Sequence, residues 1–132
     1  TLLINGVSLT TRSLEGVDAI SPRAFQGCNN IASLRSDSSL RSIGEEAFRG
    51  SLSLSSVEFG EGVTTIEGKA FMGCSKLRSV KCYATVPPTL GDKYVFDYNA
   101  ADRKIYVPAE SLDDYKKHDD WKRYADAIEA LN

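Results

Sequence analysis

The chain writes "RAFQGC" at residues 23–28, "EAFRGS" at 46–51 and "KAFMGC" at 69–74. Phe25, Phe48 and Phe71 are separated by 48 − 25 = 23 and 71 − 48 = 23 residues. Other columns keep the same step: Val17, Leu40, Val63 and Val86; Ile20, Ile43 and Ile66; Ile31, Leu54 and Leu77; Leu34, Val57 and Val80; Gly27, Gly50 and Gly73. A fixed period of this size marks a solenoid, in which each unit buries its apolar face only against its neighbours.

Within a unit, "LSSVEF" (54–59) and "LRSVKC" (77–82) place apolar residues at the first, fourth and sixth positions, and their last four residues alternate as a strand does. "VTTIEGKAF" (63–71) adds a short β-branched stretch and then a turn carrying the Ala-Phe pair. Gly27, Gly50 and Gly73 are expected where φ is positive or the next coil comes close. Each unit thus reads as strand, corner, short strand or turn, corner, with equivalent strands stacked in a parallel sheet about 4.8 Å apart. Phe25, Phe48 and Phe71 form an interior column, with Ala24, Ala47 and Ala70 leaving them room, and Phe48 in the middle copy is expected to be the most buried. With Leu34, Val57, Val80 and Ile105 pointing inward, two rows point out: Ser33, Ser56, Ser79 and Lys104, then Arg35, Glu58, Lys81 and Tyr106. The alternating signs of Arg35, Glu58 and Lys81 read as a surface charge ladder.

The stretch "LRSIGEEAFRGSLSLSSVEFGEGVTTIEGKAFMGCSKLRSV" (40–80) resembles the BspA-like leucine-rich repeats, whose units run x-V-x-x-I-G-x-x-A-F-x-G-C-x-x-L-x-x-V. Residues 17–82 carry the match. The resemblance implies a right-handed leucine-rich-repeat solenoid on a surface or secreted bacterial protein, used for adhesion or ligand binding. No catalytic residues come with it.

The register then loosens. Phe96 follows Phe71 by 96 − 71 = 25 residues and Ile105 follows Val80 by 105 − 80 = 25, so a fourth unit carries two extra residues before its phenylalanine. Pro87 and Pro88 remove donors and resist sheet pairing there. Tyr98 replaces the repeat's glycine and Asp102 its leucine, which makes 83–108 a degenerate unit. "SLDDYKKHDDWKRYADAIEALN" (111–132) reads as helix, with Ser111 as N-cap, Asp113 and Asp114 in the first turn, and a second start near Asp119–Asp120. Trp121, Tyr124, Ala125, Ile128 and Leu131 recur at helical spacing and form a stripe expected to fold over the last coil. At the other end Leu2, Leu3, Ile4, Val7 and Leu9 do not keep the repeat register, and either a short strand or hairpin over the first coil or the edge of a longer array fits them. The fold class expected is mainly β with a helical C-terminal cap, in one domain: an N-terminal edge or cap segment (1–16), a solenoid (17–108) and the cap (109–132).

With 16 basic and 18 acidic side chains and a net charge of −2, the chain offers no electrostatic reason to bind nucleic acid. No apolar run approaches the roughly 18 residues that cross a bilayer, so direct membrane insertion is not expected. "TLLINGVSLT" lacks the basic start and apolar core of a signal peptide, and a start at Thr1 implies an upstream segment in which an export signal would lie. Cys28 and Cys74 share a column two units apart, roughly 9–10 Å, too far for a disulfide. Cys82 lies across the coil, so three free thiols are expected, with Cys28 and Cys74 as small core residues. His118, the single histidine, reads as a solvated helix residue, and Asp113, Asp114, Asp119 and Asp120 as surface acids. "GEG" (60–62) reads as a turn, and "DYNAAD" (97–102) lacks the spacing of a calcium loop. Neither metal nor cofactor is expected.

These features favour a monomeric, noncatalytic module that binds a protein or glycan ligand, including a host-derived one. A carbohydrate-active enzyme, or an accessory module of one, and a structural spacer are the alternatives. Because insertions in repeat proteins map to binding loops and tyrosine supplies rigid contact area, the expected ligand patch is Tyr94, Tyr98, Tyr106 and Lys81. The competing reading packs those tyrosines between the degenerate coil and the cap.

Overall fold

Repetition of one backbone path turns the 23-residue step into a stacking step. The computed structural model describes residues 3–4, 7–8 and 11–131. A short antiparallel pair, β1 (Leu3–Ile4) and β2 (Val7–Ser8), precedes β3 (Thr11–Leu14). Two-residue and four-residue strands then alternate: β4 (Ala19–Ile20), β5 (Ser33–Ser36), β6 (Ser42–Ile43), β7 (Ser56–Phe59), β8 (Thr65–Ile66), β9 (Ser79–Cys82), β10 (Thr89–Leu90) and β11 (Lys104–Val107). A helix, α1 (Leu112–Lys117), a 3-10 turn and β12 (Ile128–Ala130) close the chain. The long strands form a six-stranded parallel sheet in the order β3-β5-β7-β9-β11-β12, and the short ones a four-stranded parallel sheet, β4-β6-β8-β10. In register, Leu34, Val57, Val80 and Ile105 stand side by side and point inward.

The third side of each coil is a turn built on alternation. Phe25, Phe48 and Phe71 donate their backbone N–H to the carbonyls of Ala47, Ala70 and Val95 in the next coil, at 2.7, 2.8 and 3.0 Å. The residues between them bond back within their own coil, as Gln26 N–H does to Arg23 C=O at 3.2 Å. Keeping alternate donors aligned with the stack requires left-handed backbone at both ends of the turn. Gly27, Gly50 and Gly73 supply it at φ of 66, 71 and 78°, as the sequence suggests. At the other end Arg23, Glu46 and Lys69 adopt φ of 59, 56 and 57°, a conformation that costs a residue with Cβ about 1–2 kcal/mol. No glycine marks that second column.

Inside, the phenylalanine rings stack at 5.0 Å between Phe25 and Phe48, 5.0 Å between Phe48 and Phe71, and 5.7 Å between Phe71 and Phe96, all within 7° of parallel. The spacing follows that of the strands, since a translated backbone copies its rotamers. Burial does not peak at Phe48: Phe71 and Phe96 are equally enclosed, and only Phe25, in the first coil, is half-buried. The column continues into Trp121, 5.6 Å from Phe96 and tilted by 42° where the repeat stops.

Three boundaries differ from the sequence reading. β3 pairs with β5 in parallel with Arg12 opposite Leu34, a step of 34 − 12 = 22, so the stack begins at residue 11 and not 17. Leu2 and Leu9 lie outside the described residues. Val86 is 75% exposed and not a member of the Val17–Leu40–Val63 column. Leu90 pairs with Ile66 at a step of 90 − 66 = 24, which puts one extra residue in the Pro87–Pro88 corner and the second before Val95. The helical reading of 111–132 survives only as α1. His118 turns extended (ψ 135°), Lys122–Ala127 wind as a 3-10 helix, and Ile128–Ala130 join the long sheet beside β11. Trp121, Tyr124 and Ile128 are inward, but from two kinds of backbone. A 3-10 turn aligns i with i+3, which explains the Trp121–Tyr124 step, and β-branched Ile128 packs beside Ile105 in the sheet.

Candidate functional site

The outward face of the long sheet changes character along the stack. Over its N-terminal half Glu58 on β7 pairs with Arg35 at 2.8 Å and Lys81 at 3.6 Å, the ladder expected from the alternating signs. Beyond β9 the ladder stops. Tyr106 on β11 stands opposite Lys81 on β9 and Glu129 on β12. The Tyr83 N–H donates to Phe59 C=O at 3.0 Å, which extends β9 by one residue and brings the Tyr83 ring out on the same face as Lys81. Ser79, Lys81, Tyr83, Tyr106 and Leu131 line a shallow groove of 430 Å³. Lys104 pairs with Glu129 at 3.1 Å, so the cations beside Tyr106 each have a carboxylate partner.

Lys81 and Tyr106 therefore meet, but the other two members of the expected patch lie elsewhere. Tyr94 and Tyr98 flank Phe96 on the turn side of the coil, where an inward Phe96 forces its neighbours out. Tyr98 occupies the left-handed glycine position at φ 61° and is 76% exposed. The ring of Tyr94 is exposed beneath the Lys93 ammonium, 5.3 Å from its centroid. The tyrosines buried at the cap are Tyr115 and Tyr124. Sequence reasoning passed over Tyr83 and Leu131. Counting two residues on from Lys81 would have found the first, whereas the second needed β12 to be recognised as a strand.

Among the described residues, the thiols and phenols most perturbed by burial lie in contacts within the stack and at its end. Burial pushes the Cys74 thiol up to about 12, and its S–H donates to Phe48 C=O at 3.0 Å. Ser51 Oγ donates likewise to Phe25 C=O at 2.7 Å and Asn99 Nδ2 to Phe71 C=O at 2.9 Å. The Ser51–Cys74–Asn99 column is thus a set of short donors reaching back one coil. Cys28, at the head of the column, is half-buried rather than core, and donates to Asn30 Oδ1 at 2.8 Å. Cys82 is buried against the Tyr115 hydroxyl at 3.4 Å, and burial raises both groups. All three thiols are free. Burial likewise pushes Tyr124 up to about 12, where its hydroxyl accepts from Phe96 N–H at 3.2 Å and lies 2.8 Å from Lys93 C=O. His118 Nδ1 accepts from the Asp120 N–H at 3.1 Å and stays within its own turn. Among the described residues no three His, Cys, Asp or Glu side chains converge as a metal site, and no helix is long and apolar enough to cross a membrane.

The BspA type leucine-rich repeat region matches residues 5–115 in six copies, and the chain belongs to this family. That makes it a repeat module of the protein-interaction or structural kind, in a family whose members are generally non-enzymatic. A leucine-rich repeat protein from Bacteroides capillosus has a similar structure, with a TM-score of 0.63 at 23% identity over 78% of this chain and 80% of that one. A leucine-rich cell surface protein from Faecalibacterium prausnitzii aligns at a TM-score of 0.43 and 15% identity, over 81% of this chain and 46% of its own. Comparison with curated protein sequences gives no significant match.

Proposed function

We propose that this chain is a monomeric, noncatalytic binding module of a surface or secreted bacterial protein, holding a protein or glycan ligand on the outward face of its long sheet. The observation that carries this is the groove of Lys81, Tyr83 and Tyr106, opening where the Arg35–Glu58–Lys81 ladder ends. Rigid β-strands present its side chains, and tyrosine gives contact area at small entropic cost. The perturbed thiols and phenols are engaged in stacking one coil on the next or closing the last, which supports a noncatalytic role.

A screen against host proteins and glycans, followed by amide-shift mapping of each hit, tests the reading. Shifts centred on residues 79–83 and 104–107 are expected, with Tyr106→Ala weakening the hit at least about tenfold and Tyr98→Ala leaving it unchanged. A footprint centred on Tyr94 and Tyr98 would overturn it.

A further inference from the structure

Resting on the reading that the sheet face is the binding face, we infer that the groove around Tyr106 takes an uncharged saccharide chain. Its charges are already matched. Lys81 is engaged by Glu58 at 3.6 Å and Lys104 by Glu129 at 3.1 Å, while Tyr106 lies between Lys81 and Glu129 across the strands. An anionic ligand has to draw an ammonium away from its carboxylate, and a cationic one meets two lysines. A polyhydroxylated neutral ligand breaks neither pair. Each ammonium has three N–H donors and each carboxylate about four acceptor sites, so the pairs retain capacity for hydroxyls that both donate and accept. Ser79 adds one more hydroxyl to the wall.

The apolar part of the groove fits the same ligand. Tyr83 and Tyr106 lie on adjacent strands, displaced by two residues along the sheet, so their rings form a stepped pair. The negative face of an aromatic ring favours the polarised C–H groups of a pyranose, and stepped rings suit successive sugars. The groove is open and shallow, without the enclosed apolar pocket that an anchoring side chain of a protein partner fills. Leu131, half-buried at one end, is its one aliphatic wall.

The test titrates the full chain, ¹⁵N-labelled, with neutral hexasaccharides (cellohexaose, maltohexaose, mannohexaose, xylohexaose) and with hexagalacturonate. At least one neutral hexasaccharide should saturate at about 1–10 mM or below, shifting amides at residues 79–83, 104–107 and 129–131. Its affinity should be the same at ~50 and ~500 mM NaCl. Tyr106→Ala and, as a more exposed second probe, Tyr83→Ala should each weaken it at least about fivefold, and Tyr106→Phe should retain most of the binding. Preference for hexagalacturonate, with affinity falling in salt, would overturn the uncharged class. So would the absence of shifts with every saccharide, even where a protein ligand maps to Tyr83 and Tyr106; that outcome would leave the sheet-face reading standing. Saccharide shifts at Tyr94–Tyr98 would overturn both.

Discussion

The coils around Phe48 and the end beyond Phe96 solve the same problem with different atoms. In the middle, alternate turn donors meet main-chain carbonyls of the next coil, whatever side chains the coil carries. Past Phe96 no further coil follows, and side chains take over. Phe96 N–H goes to the Tyr124 hydroxyl, Leu90 N–H to Asp120 Oδ2 at 3.0 Å, and Pro88 C=O receives Trp121 Nε1–H at 2.7 Å. Ser111 Oγ and Tyr115 OH donate to Thr85 and Ala84 carbonyls at 2.7 and 2.6 Å, and Arg103 donates to Phe96 C=O at 2.9 Å. The coils are joined mainly by backbone bonds, to which Ser51, Cys74 and Asn99 add side-chain donors. The end of the stack is closed largely by the side chains of named residues.

The contrast is sharpest at Trp121. Trp121→Ala empties the end of the aromatic column and orphans Pro88 C=O, so a loss of about 5 kcal/mol is expected, the top of the range for a buried aromatic. Phe48→Ala should cost about 3–5 kcal/mol, through the cavity alone, as its backbone bonds remain. Urea unfolding measures both, and an unchanged midpoint for Trp121→Ala would break the distinction.

Alkali should act on both regions. Cys74 in the stack and Tyr124 in the cap are held protonated above their unfolded values by burial. The unfolded chain then releases protons that the folded one keeps, so their contribution is complete below about pH 8.5 and declines as pH rises toward 12. Each group contributes a fall of up to about 1.4 kcal/mol per pH unit within its own window. Between about pH 8.5 and 9, where unfolded thiols titrate and phenols have barely begun, Cys74→Ser should flatten the decline. An equal slope in the variant would show that the thiol has no part in it.

Tyr124→Phe keeps the ring and removes the hydroxyl, leaving Phe96 N–H and Lys93 C=O without their shared partner. About 1–3 kcal/mol should be lost, detectable as faster hydrogen exchange at Phe96. Smallest, and opposite in sign, is Lys69→Gly, which relieves a left-handed backbone and should leave stability unchanged or raised by up to about 1 kcal/mol. A loss of stability there would mean that the side chain, beside Glu46, outweighs the strain.

The same division explains what could be read in advance. Columns such as Leu34–Val57–Val80 and Phe25–Phe48–Phe71 announce themselves because identical backbone demands recur at one step. Residues 119–131 have no second copy to compare, and a spacing of three or four serves a 3-10 turn leading into a strand as well as it serves a helix. Val86 fell out of its column because the corner holding Pro87 and Pro88 carries one extra residue. The register of β10 thus sets Pro87 opposite Val63, a shift that counting by 23 from Val63 does not detect. Of the expected ligand patch, Lys81 and Tyr106 were legible from period-two alternation in the strands. Tyr94 and Tyr98 were drawn in by their residue type and their place in the inserted segment, and the inward Phe96 between them sends them to another side of the coil.

The bonds joining one coil to the next run along the stack, and this has a mechanical consequence. A load applied between the two ends pulls on the interface bonds lengthwise, so they open one after another like a zip instead of shearing together. Each coil peeled away would release about 80 Å of chain, from its 23 residues at some 3.5 Å each. At the C-terminal end the first to yield would be the side-chain latch of Trp121, Tyr124 and Asp120. The groove of Lys81, Tyr83, Tyr106 and Leu131 adjoins that latch, so a pull at the C-terminus would open it with the first coil released, whereas a pull at the N-terminus would release the earlier coils first.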